Sequence, residues 1–274
     1  MKKIAQEQTQ REILDFLKNP TVTSDFGIAV QMGLIDGVSF INKFGRNPAT
    51  ATGDCIWQNS TAYSTPASAE VCNIVSTSVQ DNPAGTGLGT MFVVGINDLY
   101  DLVSETITLN GTTNVLTKNK YWGIIRAYGL KPGTGGTEAG AVGTITIIST
   151  AASTPTLGTI VIGINQTQSS VFIVPRGYTA FFNLPQVTAQ NTGVNNSIAL
   201  ALVRKNVGEV FRVVIDYLFL SDSGGNYQQK KFSAPISFPS MCTIFYKCIT
   251  AAASYDVVVD YDIWLVKNEL LIKR

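Results

Sequence analysis

Residues 81–116 read DNPAGTGLGTMFVVGINDLYDLVSETITLNGTTNVL and alternate turn-forming residues with short apolar runs. Within them Val103, Ile107 and Leu109 are apolar, while Ser104, Thr106 and Thr108 between them are polar. That period of two marks a strand with one buried face. Asn110–Gly111 follows at once, and such a pair accepts the positive φ angles of a type I′ turn. The chain from Thr112 onward is therefore expected to return antiparallel, with Tyr121 to Tyr128 as a later strand.

The same texture extends in both directions. Gly-rich connections such as Lys131 to Thr137 separate β runs at Gly143 to Ser149 and Gly158 to Ile164. Further runs follow at Ser170 to Pro175, Tyr178 to Leu184, Asn196 to Lys205, Glu209 to Ser221, Phe232 to Phe238 and Thr243 to Thr250. In Ser254 to Lys267, Tyr255, Val257, Val259, Tyr261, Ile263 and Leu265 fall on one face, with Asp256, Asp260 and Asp262 on the other. Many strands with no helical pattern between them predict an all-β protein of antiparallel β-sandwich or jelly-roll-like modules.

The N-terminal part differs. Ala5 to Lys18 is rich in helix formers and carries Ile13, Leu14, Phe16 and Leu17, with Asn19–Pro20 as a stop. A helix this short is marginal alone, so its apolar edge must dock on something. Thr21 to Thr52, divided by glycines, reads as an extended arm. The expected organisation is a helix and anchoring arm over 1–46, a first β-sandwich over 47–164 and a second over 165–274.

Composition narrows the chemistry. The 274 residues include no histidine, which removes the usual general base and every Ser-His-Asp or Cys-His arrangement. Charged residues make up 14%, against ~25% in typical soluble domains, and Thr, Ser, Asn and Gly take their place. Such a surface suits lateral packing against neighbours, so a homo-oligomer is expected. With a net charge of +1 and no basic run longer than Lys230–Lys231, nucleic acid is not an expected partner. No apolar run approaches the ~18 residues of a transmembrane span, so no membrane association is expected either. Cys55, Cys72, Cys242 and Cys248 lack CxxC spacing, which argues against zinc, and they read as free thiols.

Several constellations invite a functional reading, and each has a structural one. Gly85-Thr86-Gly87-Leu88-Gly89 precedes a strand instead of opening a helix, so it reads as turn material, not a phosphate loop. Asn97, Asp98 and Asp101 could offer oxygens to calcium, yet such groups in a turn more often make Asx hydrogen bonds. Asp256, Asp260 and Asp262 would serve a glycoside hydrolase only if two acids faced each other across a cleft. Trp57, Trp122 and Trp264 could form a sugar-stacking platform or fill cores. No catalytic, cofactor or metal residue is assigned, and no enzyme activity is expected.

Ordered motifs run through most of the chain after about Asn42: Gly45-Arg46-Asn47-Pro48, Ile56-Trp57, Ala69-Glu70-Val71 leading to Ile74 through Ser78, Asp81, Gly85-Thr86-Gly87, Val94 through Asn97, and Ser104 through Thr113. Weaker matches follow at Asn119 to Ala127, Gly135 to Thr137 and Ile173 to Ala180. In combination these boxes resemble a family of structural proteins of tailed bacteriophages, common among marine phages, with GRNP, IW, AGTG and SETVTLNGTT signatures. Gln58 to Tyr63 departs from the Gly-rich stretch that relatives carry after the IW box. The resemblance implies a virion component assembled in the host cytoplasm, either a head decoration, a head fibre or a tail-associated protein. Its partners would be capsid, portal or tail proteins and its oligomer a trimer; the N-terminal helix lies outside the resembling boxes, and its apolar residues Ile13, Leu14, Phe16 and Leu17 are the particle-anchoring candidates on the helix reading alone. The alternative is a receptor- or carbohydrate-binding spike module that recognises the host surface.

Overall fold

A computed structural model describes residues 26–136, 140–191, 196–221 and 226–271. After a short helix α1 (Phe26–Gln31) come sixteen strands: β1 (Val38–Thr50), β2 (Cys72–Ser76), β3 (Leu88–Ile96), β4 (Leu102–Thr108), β5 (Val115–Leu116), β6 (Gly123–Pro132), β7 (Ile145–Ser149), β8 (Thr156–Ile160), β9 (Phe172–Ile173), β10 (Tyr178–Gln190), β11 (Asn196–Lys205), β12 (Arg212–Ser221), β13 (Asn226–Gln229), β14 (Ile236–Phe238), β15 (Thr243–Ala251) and β16 (Tyr255–Lys267). Helix α2 (Asn268–Leu271) follows β16 directly. Every strand pair is antiparallel.

Two sheets with orders β1-β16-β10-β13 and β12-β11-β15-β9 form one sandwich, with β14 also paired to β10. The chain passes repeatedly between these sheets, which is the double-sheet connectivity of a jelly roll. Its core is aromatic and aliphatic: Tyr255, Val257, Val259, Tyr261 and Ile263 of β16 alternate inward and meet Leu200, Leu202, Tyr217, Ile244 and Tyr246 of the other sheet. Strand β16 lies between β1 and β10, so the longest alternating run in the sequence became the centre of its sheet, not an edge.

A second sandwich is inserted into the first. Sheets β5-β2-β7-β8 and β4-β3-β6 enclose Ile74, Met91, Val93, Ile107, Ile145, Ile147 and Leu157. The chain leaves the jelly roll at Trp57 and returns at Ser169, and these two residues form an antiparallel bridge. Close exit and return points let a domain be inserted without disturbing its host.

This arrangement revises the expected organisation. Residues 38–50 are not an arm: they form β1, which pairs along its length with β16 from Val38↔Val266 to Thr50↔Tyr255. The jelly roll therefore combines residues on both sides of the insert, whereas the sequence suggested a simple division at 164/165. Alternation along β1 is weak because Asn42, Arg46 and Pro48 interrupt it, so its strand character comes from tertiary pairing. The helix expected over Ala5 to Lys18 lies outside the described residues, as do Ile13, Leu14, Phe16 and Leu17.

The Asn110–Gly111 hairpin also differs from expectation. Strand β4 pairs with β3, through the Asn97–Asp101 turn, while β5 crosses to the other sheet and pairs with β2. Gly111 does adopt φ +58, but it is drawn toward β2 by its amide bond to the Asp81 carbonyl and the Ser76 amide bond to its own carbonyl. A Cβ at Gly111 would lie 2.8 Å from the Val79 backbone. The glycine is required by close packing as much as by its turn.

Candidate functional site

The insert does not hang from the jelly roll on a flexible stalk. Its Ile96, Tyr100 and Ile125 are buried in the jelly-roll core cluster, with Trp122 packed against it. A Cβ on Gly123 of β6 would lie 2.4 Å from the Ile173 side chain of β9, so the two modules meet where only hydrogen fits. The insert thus contacts both edge strands of the jelly roll on this side, β1 and β9.

Three basic residues tie the seam. Lys43 of β1 is 1% exposed, and its ammonium donates to the Ile125 carbonyl at 2.5 Å. Burial lowers its pKa from 10.5 to about 7, with nearby Arg126 pushing the same way and Cys55 pushing weakly against. Arg126 donates to the Asn42 carbonyl at 2.5 Å and lies 5.5 Å over the Phe44 ring. Arg176, from the β9–β10 connection, pairs with Asp101 at 2.9 Å, and its backbone amide donates to the Tyr100 carbonyl. The Cys55 thiol in this seam is pushed up to about 12 by burial, which makes it a poor nucleophile.

A cleft of about 310 Å³ opens along the seam between the insert and the β11–β12 hairpin. Asp98, Tyr100 and Trp122 line it from the insert, and Lys205, Asn206 and Val207 from the jelly roll. The Asn97–Asp101 turn that builds one wall is an Asx turn: the Asn97 Oδ1 accepts the amides of Leu99 and Asp101. No group of three His, Cys, Asp or Glu residues able to hold a metal occurs among the described residues.

The residues singled out from sequence are dispersed. Trp57 is a core residue at 2% exposure, Trp264 packs with Phe26 and Phe40 beside α1, and only Trp122 reaches the cleft. They form no common platform. Asp256 pairs with Arg46 at 2.7 Å, while Asp260 and Asp262 share the Asn42 amide at 2.7 and 3.2 Å. Burial raises the Asp262 pKa, with the Asn42 bond opposing and Asp260 adding to it. All three acids project from one strand, and none of them lines the seam cleft.

The Gly85–Gly89 loop holds an anion of the chain's own. Asp81, fully buried, lies within it: its Oδ1 accepts the amides of Leu88 and Val142, and its Oδ2 accepts Gly143 N and Ser76 Oγ. A Cβ on Gly87 would fall 2.2 Å from Asp81 Oδ1. Neither this role nor the cleft is visible in a linear motif, because the partners are contributed from 61 and 62 residues downstream.

No protein-family model matches the chain, and no curated protein matches it. Among solved structures, that of the infectious bursal disease virus Gx strain aligns at 10% identity and TM-score 0.23, over 83% of this chain and 71% of that one. The infectious bursal disease virus VP2 subviral particle aligns at 10% identity and TM-score 0.20, over 83% and 72%. Likeness at this level carries no argument, and the jelly-roll assignment stands on the strand order above.

Proposed function

We propose that this protein is a non-enzymatic structural component of a tailed-phage virion, held on the particle by the segment that precedes α1. The observation that carries this reading is the fold: a jelly roll, an architecture shared by viral capsid and lectin domains, with a second sandwich rigidly inserted and a surface of low charge. Fold alone does not fix function, and the ordered boxes that resemble phage structural proteins supply the rest. Exposed apolar side chains occur on and beside α1 and on α2, including Phe26, Met32, Leu34, Leu270 and Leu271. Leu270 packs closely over Gly37, and Phe26 packs at a tilt against Trp264. Apolar surface of this kind marks an interaction site.

The body faces outward and the N-terminal segment attaches. A symmetric oligomer, a trimer in this proposal, would present several identical segments, and avidity would make weak single contacts sufficient. The test removes Met1–Asp25 only, because a longer truncation would cut into α1 and β1 and damage the fold. The truncated protein is expected to fold, to sediment as the same oligomer and to lose binding to particles that lack it. Undiminished binding by the truncated protein would contradict an anchoring segment.

A further inference from the structure

The seam cleft has the make-up of a sugar site. Its volume of about 310 Å³ sits at the lower end of small-molecule pockets, suited to a single ring. Trp122 supplies an aromatic wall and packs at 5.1 Å against Tyr100, which fixes the ring. Aromatic faces of this kind offer a rigid apolar surface with little rotamer freedom to lose on binding. Asp98 and Lys205 line the same cleft, and neither forms an ion pair with any described residue. One Asp98 oxygen accepts the Ala69 amide, which orients the carboxylate. The Lys205 ammonium lies 5.2 Å from the Phe211 ring centroid.

Asn206 also lines the cleft. Its Nδ2 donates to Glu209 at 3.1 Å, and its Oδ1 is buried with no hydrogen-bond partner. Buried acceptors are almost always satisfied, and this one is left unpaired beside the cleft, out of reach of solvent. Tyr100 is held at φ +60, a costly conformation for a bulky residue, by the Asn97 turn and the Arg176 amide bond to its carbonyl. Backbone strain of this sort collects at binding sites.

We propose that this cleft binds one neutral pyranose unit of a glycan, with the apolar face of the sugar on Trp122 and its hydroxyls held by Asp98 and Lys205. One acid and one base on opposite walls leave the site without a net charge, which favours a neutral sugar over an acidic one. This site stands whether or not the protein is a virion component.

The test titrates the full-length protein with the methyl pyranosides of glucose, galactose, mannose and N-acetylglucosamine, following the tryptophan indole signals by NMR. At least one glycoside is expected to shift the Trp122 signal saturably while Trp57 and Trp264 stay fixed. Lys205→Met, on the exposed hairpin, and Asp98→Asn should each weaken that binding about tenfold, a difference of ~1.4 kcal/mol, with the remaining spectrum unchanged. Should Asp98→Asn disturb the fold, Lys205→Met decides alone. A Trp122 signal unmoved by all four glycosides would overturn the proposal, as would a shift equal in wild type and Lys205→Met, or a response to glycine or inorganic phosphate alone.

Discussion

The jelly roll and its insert are both antiparallel sandwiches, yet they are stabilised differently. The jelly roll buries large side chains at alternate positions of long strands: Tyr217, Tyr246, Tyr255, Tyr261, Phe182 and Phe219 are all essentially inaccessible. The insert has shorter strands, smaller core residues such as Ile74, Val93 and Ile147, and loops gathered around the Asp81 carboxylate. One module is held mainly by apolar area, the other depends heavily on a buried polar hub. A buried carboxylate with four hydrogen bonds is strongly specifying, and its removal is correspondingly severe.

The largest separation between the two modules should come from Asp81→Ala. Three backbone amides and the Ser76 hydroxyl lose their acceptor, and each unsatisfied buried donor costs ~1–3 kcal/mol. Hydrogen exchange should show β2, β3 and β7 losing protection while β10, β11, β15 and β16 retain theirs. Equal loss in both modules would mean that they fold as one cooperative unit.

A smaller effect is expected at the seam. Gly123→Ala places a methyl against Ile173, and overpacking of this kind costs ~1–3 kcal/mol. The thermal midpoint should fall, and the Trp122 environment should change in near-ultraviolet circular dichroism. An unchanged midpoint and spectrum would show that the seam is looser than the geometry requires.

Lys43 sharpens the comparison through pH. Its folded pKa, about 7, lies below its ordinary 10.5, so between those values the unfolded chain binds the proton and the native protein does not. Stability contributed by this residue therefore rises as pH increases from about 7 toward 10.5, and its penalty is complete below about 7. Lys43→Met should remove that slope and stabilise the protein at neutral pH, measured as the difference in denaturant midpoint between variant and wild type across this range. A difference independent of pH would contradict a desolvated ammonium in the seam.

The smallest effect belongs to Arg176→Gln, which breaks the exposed pair with Asp101 and leaves the backbone bond to Tyr100 in place. A loss below ~1 kcal/mol is expected in the same denaturation assay. A larger loss would assign the side chain a structural role beyond the surface pair.

Strand content was legible where alternation was strong. In β16 the apolar positions read from the sequence are the buried ones, in β4 Ile107 is buried and Val103 half-buried, and β11 occupies the predicted span of Asn196 to Lys205. Legibility failed where long-range partners decide. Strand β1 looks like a glycine-spaced arm until β16 lies beside it, and Tyr178 to Leu184 continues to Gln190 through a bulge at Asn183/Gln186, despite Pro185. Asn110–Gly111 carries a hairpin signal that Asp81 overrides. The cleft joins Asp98 and Trp122 to Lys205 and Asn206 across the module boundary, so no local spacing could have shown it.

Quantitative mass spectrometry of purified particles, with the copy number of this chain set against the major shell protein, tests the central claim most directly. The protein is predicted to be present in a fixed, symmetry-related number of copies: hundreds for a head component, a handful for a tail part. Its absence from particles carrying the full complement of shell protein would contradict the account.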